Sequence, residues 1–195
     1  MISGILLAAG ESRRMGSPKA LLRYHGQTFI DRICQAFLTA GVEELIVVLG
    51  ARAEEVRRAL PSHPALRVAV NTRFFLGQLS SLMTGIGALS AQSEAAVVNL
   101  VDHPLVATET ITALLDSFRT APLPILIASY QGRRGHPVLF SRRVYGEILA
   151  APLDQGAKPV VRKDPARVRE VQLDDPGILA DIDTPEDYSR WIGRR

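Results

Sequence analysis

Between Gly10 and Ala20 the chain sets three basic side chains, Arg13, Arg14 and Lys19, in one short loop with Gly10 and Gly16. The loop leaves an apolar run, residues 2–8, that reads as a buried strand. A glycine-bearing loop at that position presents backbone N–H groups at the carboxyl edge of a sheet, where an anion can accept them. Three like charges so close together repel one another unless an anion offsets them. Two common phosphate motifs do not fit. There is no G-x-G-x-x-G, and Gly16 is followed by Ser17-Pro18-Lys19 instead of the Lys-Ser/Thr of a Walker A loop. What remains is a phosphate-binding loop of another kind, with Arg13, Arg14 and Lys19 as counter-charges.

Composition narrows the partners. In 195 residues, 47% hydrophobic and 22% charged, there is enough apolar surface for one sizeable core, which argues against a disordered chain. Net charge is +3, yet the basic doublets, such as Arg57-Arg58 and Arg142-Arg143, are scattered, so no clustered footprint for nucleic acid forms. A small anionic molecule suits this distribution. Only three of the 23 basic residues are lysines, which singles out Lys19. The lone Cys34 excludes an intrachain disulfide framework, and the four histidines are too dispersed for a zinc triad. No apolar run reaches the roughly 18–20 residues of a membrane span. The opening MISGILLAAG lacks a basic n-region, so it reads as a strand and not a signal peptide, and a cytoplasmic location is the default.

The elements that would position these residues alternate. Strand-like runs at 2–8, 44–49, 67–70 and 95–101 are short and unbroken in apolar character. Helical stretches at 28–40, 52–60, 80–89 and 108–118 separate them, the first and last capped by Thr28 and Thr108. This pattern predicts an α/β fold of three layers: a mostly parallel, Rossmann-like sheet with helices on both faces. Beyond residue 122 the pattern loosens. Pieces at 125–130, 137–140 and 167–173 either extend the sheet or form a small antiparallel lobe. Thr184, Pro185 and Asp187 form a capping-box variant that opens a last helix. No linker is visible, so a single domain over 1–195 is expected.

Five segments then carry a resemblance. Leu7-Ala8-Ala9-Gly10-Glu11-Ser12-Arg13-Arg14-Met15-Gly16-Ser17-Pro18-Lys19 resembles the signature of sugar-phosphate-type nucleotidyltransferases. It is most similar to the molybdenum cofactor cytidylyltransferases and their MobA-like relatives. Asn71 to Leu82 resembles their N-x-x-x-x-x-G-x-x-x-S-L segment, and Val101-Asp102-His103-Pro104 stands where G-D-x-P is usual. Gly135-His136-Pro137-Val138-Leu139-Phe140 and the stretch from Asp174 to Asp187 resemble the subgroup's later motifs. The resemblance covers essentially the whole chain, with one departure: Leu100-Val101 precedes Asp102 where the family often has a small residue.

The resemblance implies a nucleotidyltransferase-type fold and a Mg²⁺-dependent transfer of CMP from CTP to the phosphate of molybdopterin, with release of pyrophosphate. Residues 1–121 would be mainly nucleotide-binding, and 122–195 would supply the acceptor side. Lys19, Arg14 and Asp102 would be catalytic. Leu7, Ala8, Ala9, Gly10, Arg13, Asn71, Gly77, Ser80 and Ser81 would join Arg14 and Lys19 around the nucleotide. His136 would meet the acceptor. Asp102 and Asp183 would hold the metal; in a strand-like stretch Asp181 would share the face of Asp183 and could also reach. Ala9, commonly glycine in guanylyl-transferring relatives, points to cytosine. A molybdenum hydroxylase would be a transient partner. The alternatives are transfer of guanylyl or another nucleotidyl group to a different phosphorylated acceptor, and cofactor delivery without turnover.

Overall fold

The computed structural model describes residues 1–193; the doublet Arg194-Arg195 lies outside the described residues. Among the described residues there are nine strands: β1 (Ile2–Ala8), β2 (Arg23–Tyr24), β3 (Gln27–Thr28), β4 (Glu44–Leu49), β5 (Leu66–Val70), β6 (Ala95–Leu100), β7 (Ile125–Tyr130), β8 (Arg133–Ser141) and β9 (Val168–Gln172). Seven α-helices accompany them: α1 (Phe29–Thr39), α2 (Ala53–Arg57), α3 (Gln78–Ala88), α4 (Thr108–Thr120), α5 (Tyr145–Leu149), α6 (Lys158–Arg162) and α7 (Pro185–Trp191).

One seven-stranded sheet runs in the order β5-β4-β1-β6-β8-β7-β9, and β2 and β3 form a separate two-stranded ribbon. All pairings in the large sheet are parallel except those of β8, which is antiparallel to both β6 and β7. The C-terminal pieces therefore extend the main sheet and do not form a separate lobe. Central strands β1 and β4 are buried along their whole length, as expected when both faces are covered. On one face Ile30, Ile33 and Phe37 of α1 and Leu114 and Leu115 of α4 meet Leu6, Val47 and Val97. On the other, Leu79, Leu82 and Ile86 of α3 and Ile148 of α5 meet Ile5, Val48 and Val98. The two clusters make the predicted three layers. Among the described residues no helix is long and apolar enough to cross a membrane.

Three local expectations are corrected. The helix expected over 52–60 is confined to α2, because Arg52 takes a left-handed conformation and the chain turns before Pro61. Thr108 does not cap α4. Ala107 holds the N-cap position, and Asp175 Oδ2 accepts the Ala107 N–H at 2.9 Å and the Thr110 hydroxyl at 2.6 Å. The piece expected at 137–140 begins at Arg133, because Gln131 and Gly132, both at positive φ, turn β7 tightly into β8. By contrast, Thr28 accepts from the Asp31 N–H at α1, and Thr184 and Asp187 make a full capping box at α7.

Candidate active site

The carboxyl ends of β1 and β6 open onto a cavity of about 330 Å³. Ligands of open α/β sheets bind at such an edge. Residues 7–10 form its floor with Leu100, Val101 and Asp102; Arg13, Arg14 and Lys19 come from the loop, and Gly77, Gln78 and Ser81 from the start of α3. Short 3₁₀ turns at Arg13–Met15 and Lys19–Leu21 fold the loop back over the sheet edge. Ser12 anchors it: its Oγ accepts the backbone N–H of Lys19 at 3.0 Å.

Lys19 is the centre of the charged cluster. Its side chain is 11% exposed, and its ammonium donates to Asp102 Oδ2 at 3.1 Å and to Asp183 Oδ1. Arg14 donates to the other oxygen of Asp183. Burial opposes the charge on Lys19, but the Asp102 and Asp183 carboxylates outweigh it and hold the ammonium above its usual range. Burial likewise opposes the Asp183 carboxylate, and the hydrogen bonds and charges of Lys19 and Arg14 hold it below its usual range. Arg13 turns outward and pairs with Glu11 at 2.5 Å.

The backbone sets the spacing between the two carboxylates. Ile182 N–H donates to the Asp102 carbonyl at 2.9 Å, which lays residues 181–183 beside the end of β6. That stretch is irregular, yet Ile182 points inward and Asp181 and Asp183 both lie on the side of Asp102, so the same-face relation expected of them holds while their partners differ. Asp183 meets Lys19 and Arg14. Asp181 makes neither contact; its carboxylate falls near Asp102 and His103. Burial, and then the negative charges of Asp102 and Asp183, push Asp181 up to about 6. Val101, the departure from the expected small residue, donates its N–H to the Leu7 carbonyl and packs partly buried at the core edge.

Other expected residues are distributed differently. The buried Asn71 directs its amide inward: Nδ2 donates to the hydroxyls of Ser80 and Ser81, and Oδ1 accepts from Arg73 N–H. Ser80 donates to the Gly77 and Arg73 carbonyls. Asn71 and Ser80 therefore brace the start of α3, whereas Ser81 and Gly77 line the cavity. His136 lies away from it, with its ring centroid 4.9 Å from that of His103. Burial, and then the charge of His103, lower His136 to about 3; burial also lowers His103.

The expected site residues did not include Ser12, Val56, Phe74, Gln78 or His103. Phe74 lines the cavity while Phe75 is 71% exposed, a split that adjacent aromatics do not reveal in advance. Ser12 carried a signal in the loop motif itself. His103 carried one too: a histidine beside a strand-end aspartate.

The donor set suits a hard divalent cation. Asp102 and Asp183 supply oxygens only, and the Lys19 ammonium seated between them shows that the pair holds positive charge at that position.

The family model of the MobA-like NTP transferase domain matches residues 4–170. A protein named nicotine blue oxidoreductase from Paenarthrobacter nicotinovorans is 33% identical, over 98% of this chain and 96% of its own. A probable molybdenum cofactor guanylyltransferase from Bacillus velezensis is 28% identical, over 96% of this chain and 93% of its own. The crystal structure of Rv0371c from Mycobacterium tuberculosis H37Rv superposes with a TM-score of 0.85 at 32% identity, covering 98% of this chain and 97% of that one. Its complex with manganese superposes at 0.78 with 29% identity, over 100% and 99%. With a family model matching most of its length and relatives aligned nearly end to end, the chain belongs to the MobA-like NTP transferase family.

Proposed function

We propose that this member of the family transfers CMP from CTP to the phosphate of a molybdopterin-type acceptor in the cytoplasm, with release of pyrophosphate. The observation that carries the reading is the Lys19 ammonium seated between Asp102 and Asp183 at the edge of a cavity overhung by a basic loop. An acceptor phosphate oxygen bonds to the α-phosphorus, the bond from that phosphorus to the bridging oxygen breaks, and its electron pair leaves with pyrophosphate. Such a reaction asks for positioning and charge neutralisation more than for covalent help from the protein.

Lys19 would swing from the carboxylates to a non-bridging α-phosphate oxygen and stabilise the charge gathering there. Arg14 would hold the β/γ end, with Arg13 at the mouth. Residues 8–10 would receive base and ribose, with Gly77 and Ser81 over the base. A Mg²⁺ ion held by Asp102 and Asp183 would supply neutralisation of the phosphate oxygens. His136 and the wall from residues 122–195 would meet the acceptor. A molybdenum hydroxylase would then receive the product.

Ala9 supports a pyrimidine. It stands in a wall without slack, since a Cβ on neighbouring Gly50 would fall 2.6 Å from the Ala9 carbonyl and 2.8 Å from Phe74 Cβ. Guanylyl transfer is the second reading, favoured by the guanylyltransferase name of a relative aligned over nearly the whole chain. The test is pyrophosphate release with Mg²⁺, molybdopterin and each nucleoside triphosphate in turn. CTP should react fastest. Faster reaction with GTP would select the second reading, and no pyrophosphate with any triphosphate would sink the transfer and leave cofactor delivery.

A further inference from the structure

Asp102 turns its two carboxylate oxygens to different neighbours. Oδ2 accepts from Lys19 at 3.1 Å, on the side of Asp183. Oδ1 is buried without a hydrogen bond and lies 4.0 Å from His103 Nε2. Asp181 completes a group: one ligand atom from each of Asp102, His103 and Asp181 lies within 4.8 Å of the others. His103 is only 6% exposed, and the nitrogen it turns toward Asp102 is Nε2. A buried carboxylate oxygen left unpaired, as Asp102 Oδ1 is, is costly unless something pairs with it.

We propose that Asp102, His103 and Asp181 form a second divalent-cation site, beside the Asp102–Asp183 position and sharing Asp102 with it. An imidazole with two carboxylates suits a first-row transition ion such as Mn²⁺ or Zn²⁺ better than Mg²⁺, which prefers oxygen alone. Donors about 2.1 Å from one ion stand at most about 4.2 Å apart. Asp181 is solvent-exposed, so rotation of its side chain closes the set. Lys19 and Arg14 occupy Asp102 Oδ2 and Asp183, and neither has to leave. The site stands on its own residues and not on the identity of the nucleotide.

The test is a titration of the full chain with Mn²⁺ in the absence of nucleotide, read by electron paramagnetic resonance. One bound ion with nitrogen coupling from an imidazole is expected, displaced by equimolar Zn²⁺ but not by a modest excess of Mg²⁺. His103→Gln should abolish the nitrogen coupling, and His136→Gln should keep it. Asp181→Asn should weaken Mn²⁺ binding about tenfold or more. Asp183→Asn should weaken it much less. If His103→Gln does not fold, the exposed Asp181→Asn still decides. Absence of bound Mn²⁺ at millimolar concentration, binding without nitrogen coupling, coupling that survives in His103→Gln, or equal losses in the two aspartate variants would each overturn the proposal. Because no nucleotide is present, failure here leaves the transferase reading standing, and failure of pyrophosphate release leaves the ion site standing.

Discussion

Lys19→Ala separates catalysis from binding and from stability. It removes the ammonium that touches both Asp102 and Asp183, whose side chains are 22% and 29% exposed. Breaking a fully buried ion pair costs about 3–5 kcal/mol, and an exposed one contributes under about 1 kcal/mol. This partly exposed cluster falls between, and Arg14 still holds Asp183, so unfolding free energy should drop by about 1–2 kcal/mol. The catalytic loss should be larger. A single preorganised donor at developing charge is worth about 2.7–4 kcal/mol, or about 10²–10³ in kcat. The triphosphate keeps Arg14 and the loop N–H groups, so its Kd should rise by only about tenfold. Saturating pyrophosphate-release kinetics, calorimetric nucleotide titration and urea unfolding measure the three quantities separately. A kcat within about threefold of wild type would refute the role of Lys19. A Kd raised as much as kcat/KM falls, with kcat unchanged, would mean that Lys19 binds ground state and transition state alike.

Three further outcomes follow from the packing around the site. Gly135→Ala would place a Cβ 2.2 Å from the Ile178 carbonyl, backbone that cannot rotate aside. It should lose about 1–3 kcal/mol in urea unfolding, and wild-type stability would contradict the close approach. Thr184→Ala removes the capping box at α7 and should cost about 1 kcal/mol, read by the same measurement. His136 is held neutral, at about 3, in the folded chain, whereas the unfolded chain protonates it near 6.5. Its folded pKa lies below its unfolded one. The associated stability is full above about pH 6.5 and falls by about 1.4 kcal/mol per unit as pH drops toward 3. Stability of His136→Gln should therefore fall less steeply over this window, and parallel curves for variant and wild type would rule out the buried neutral imidazole.

The readable part of this molecule is local. Residues 2–8 and 44–49 announce buried parallel strands because both faces of the sheet are covered and nearly every position is then apolar, the exceptions Ser3 and Glu44 bonding to each other. The α7 start was legible because Thr184, Pro185 and Asp187 meet their partners within four residues. The basic loop was legible for a related reason: its charges lie close together along the chain. What escaped depends on approaches between distant segments. Asp175 secures α4 from far along the sequence, and no periodicity marks it. Asp181 and Asp183 take different partners because their segment is held by Asp102 and not by a strand ladder. Two glycines make that convergence possible. A Cβ on Gly177 would fall 2.2 Å from the Leu105 carbonyl, as one on Gly135 would from Ile178. Both contacts draw the turn at Pro176–Leu179, two residues before Asp181, against the segment that follows Asp102 and against β8. Any side chain at either glycine would push that turn outward and carry Asp181 and Asp183 with it. The distance between the carboxylates is therefore set largely by residues that carry no chemistry, which is why a sequence reading could nominate Asp102 and Asp183 but not divide Asp183 and Asp181 between Lys19 and His103.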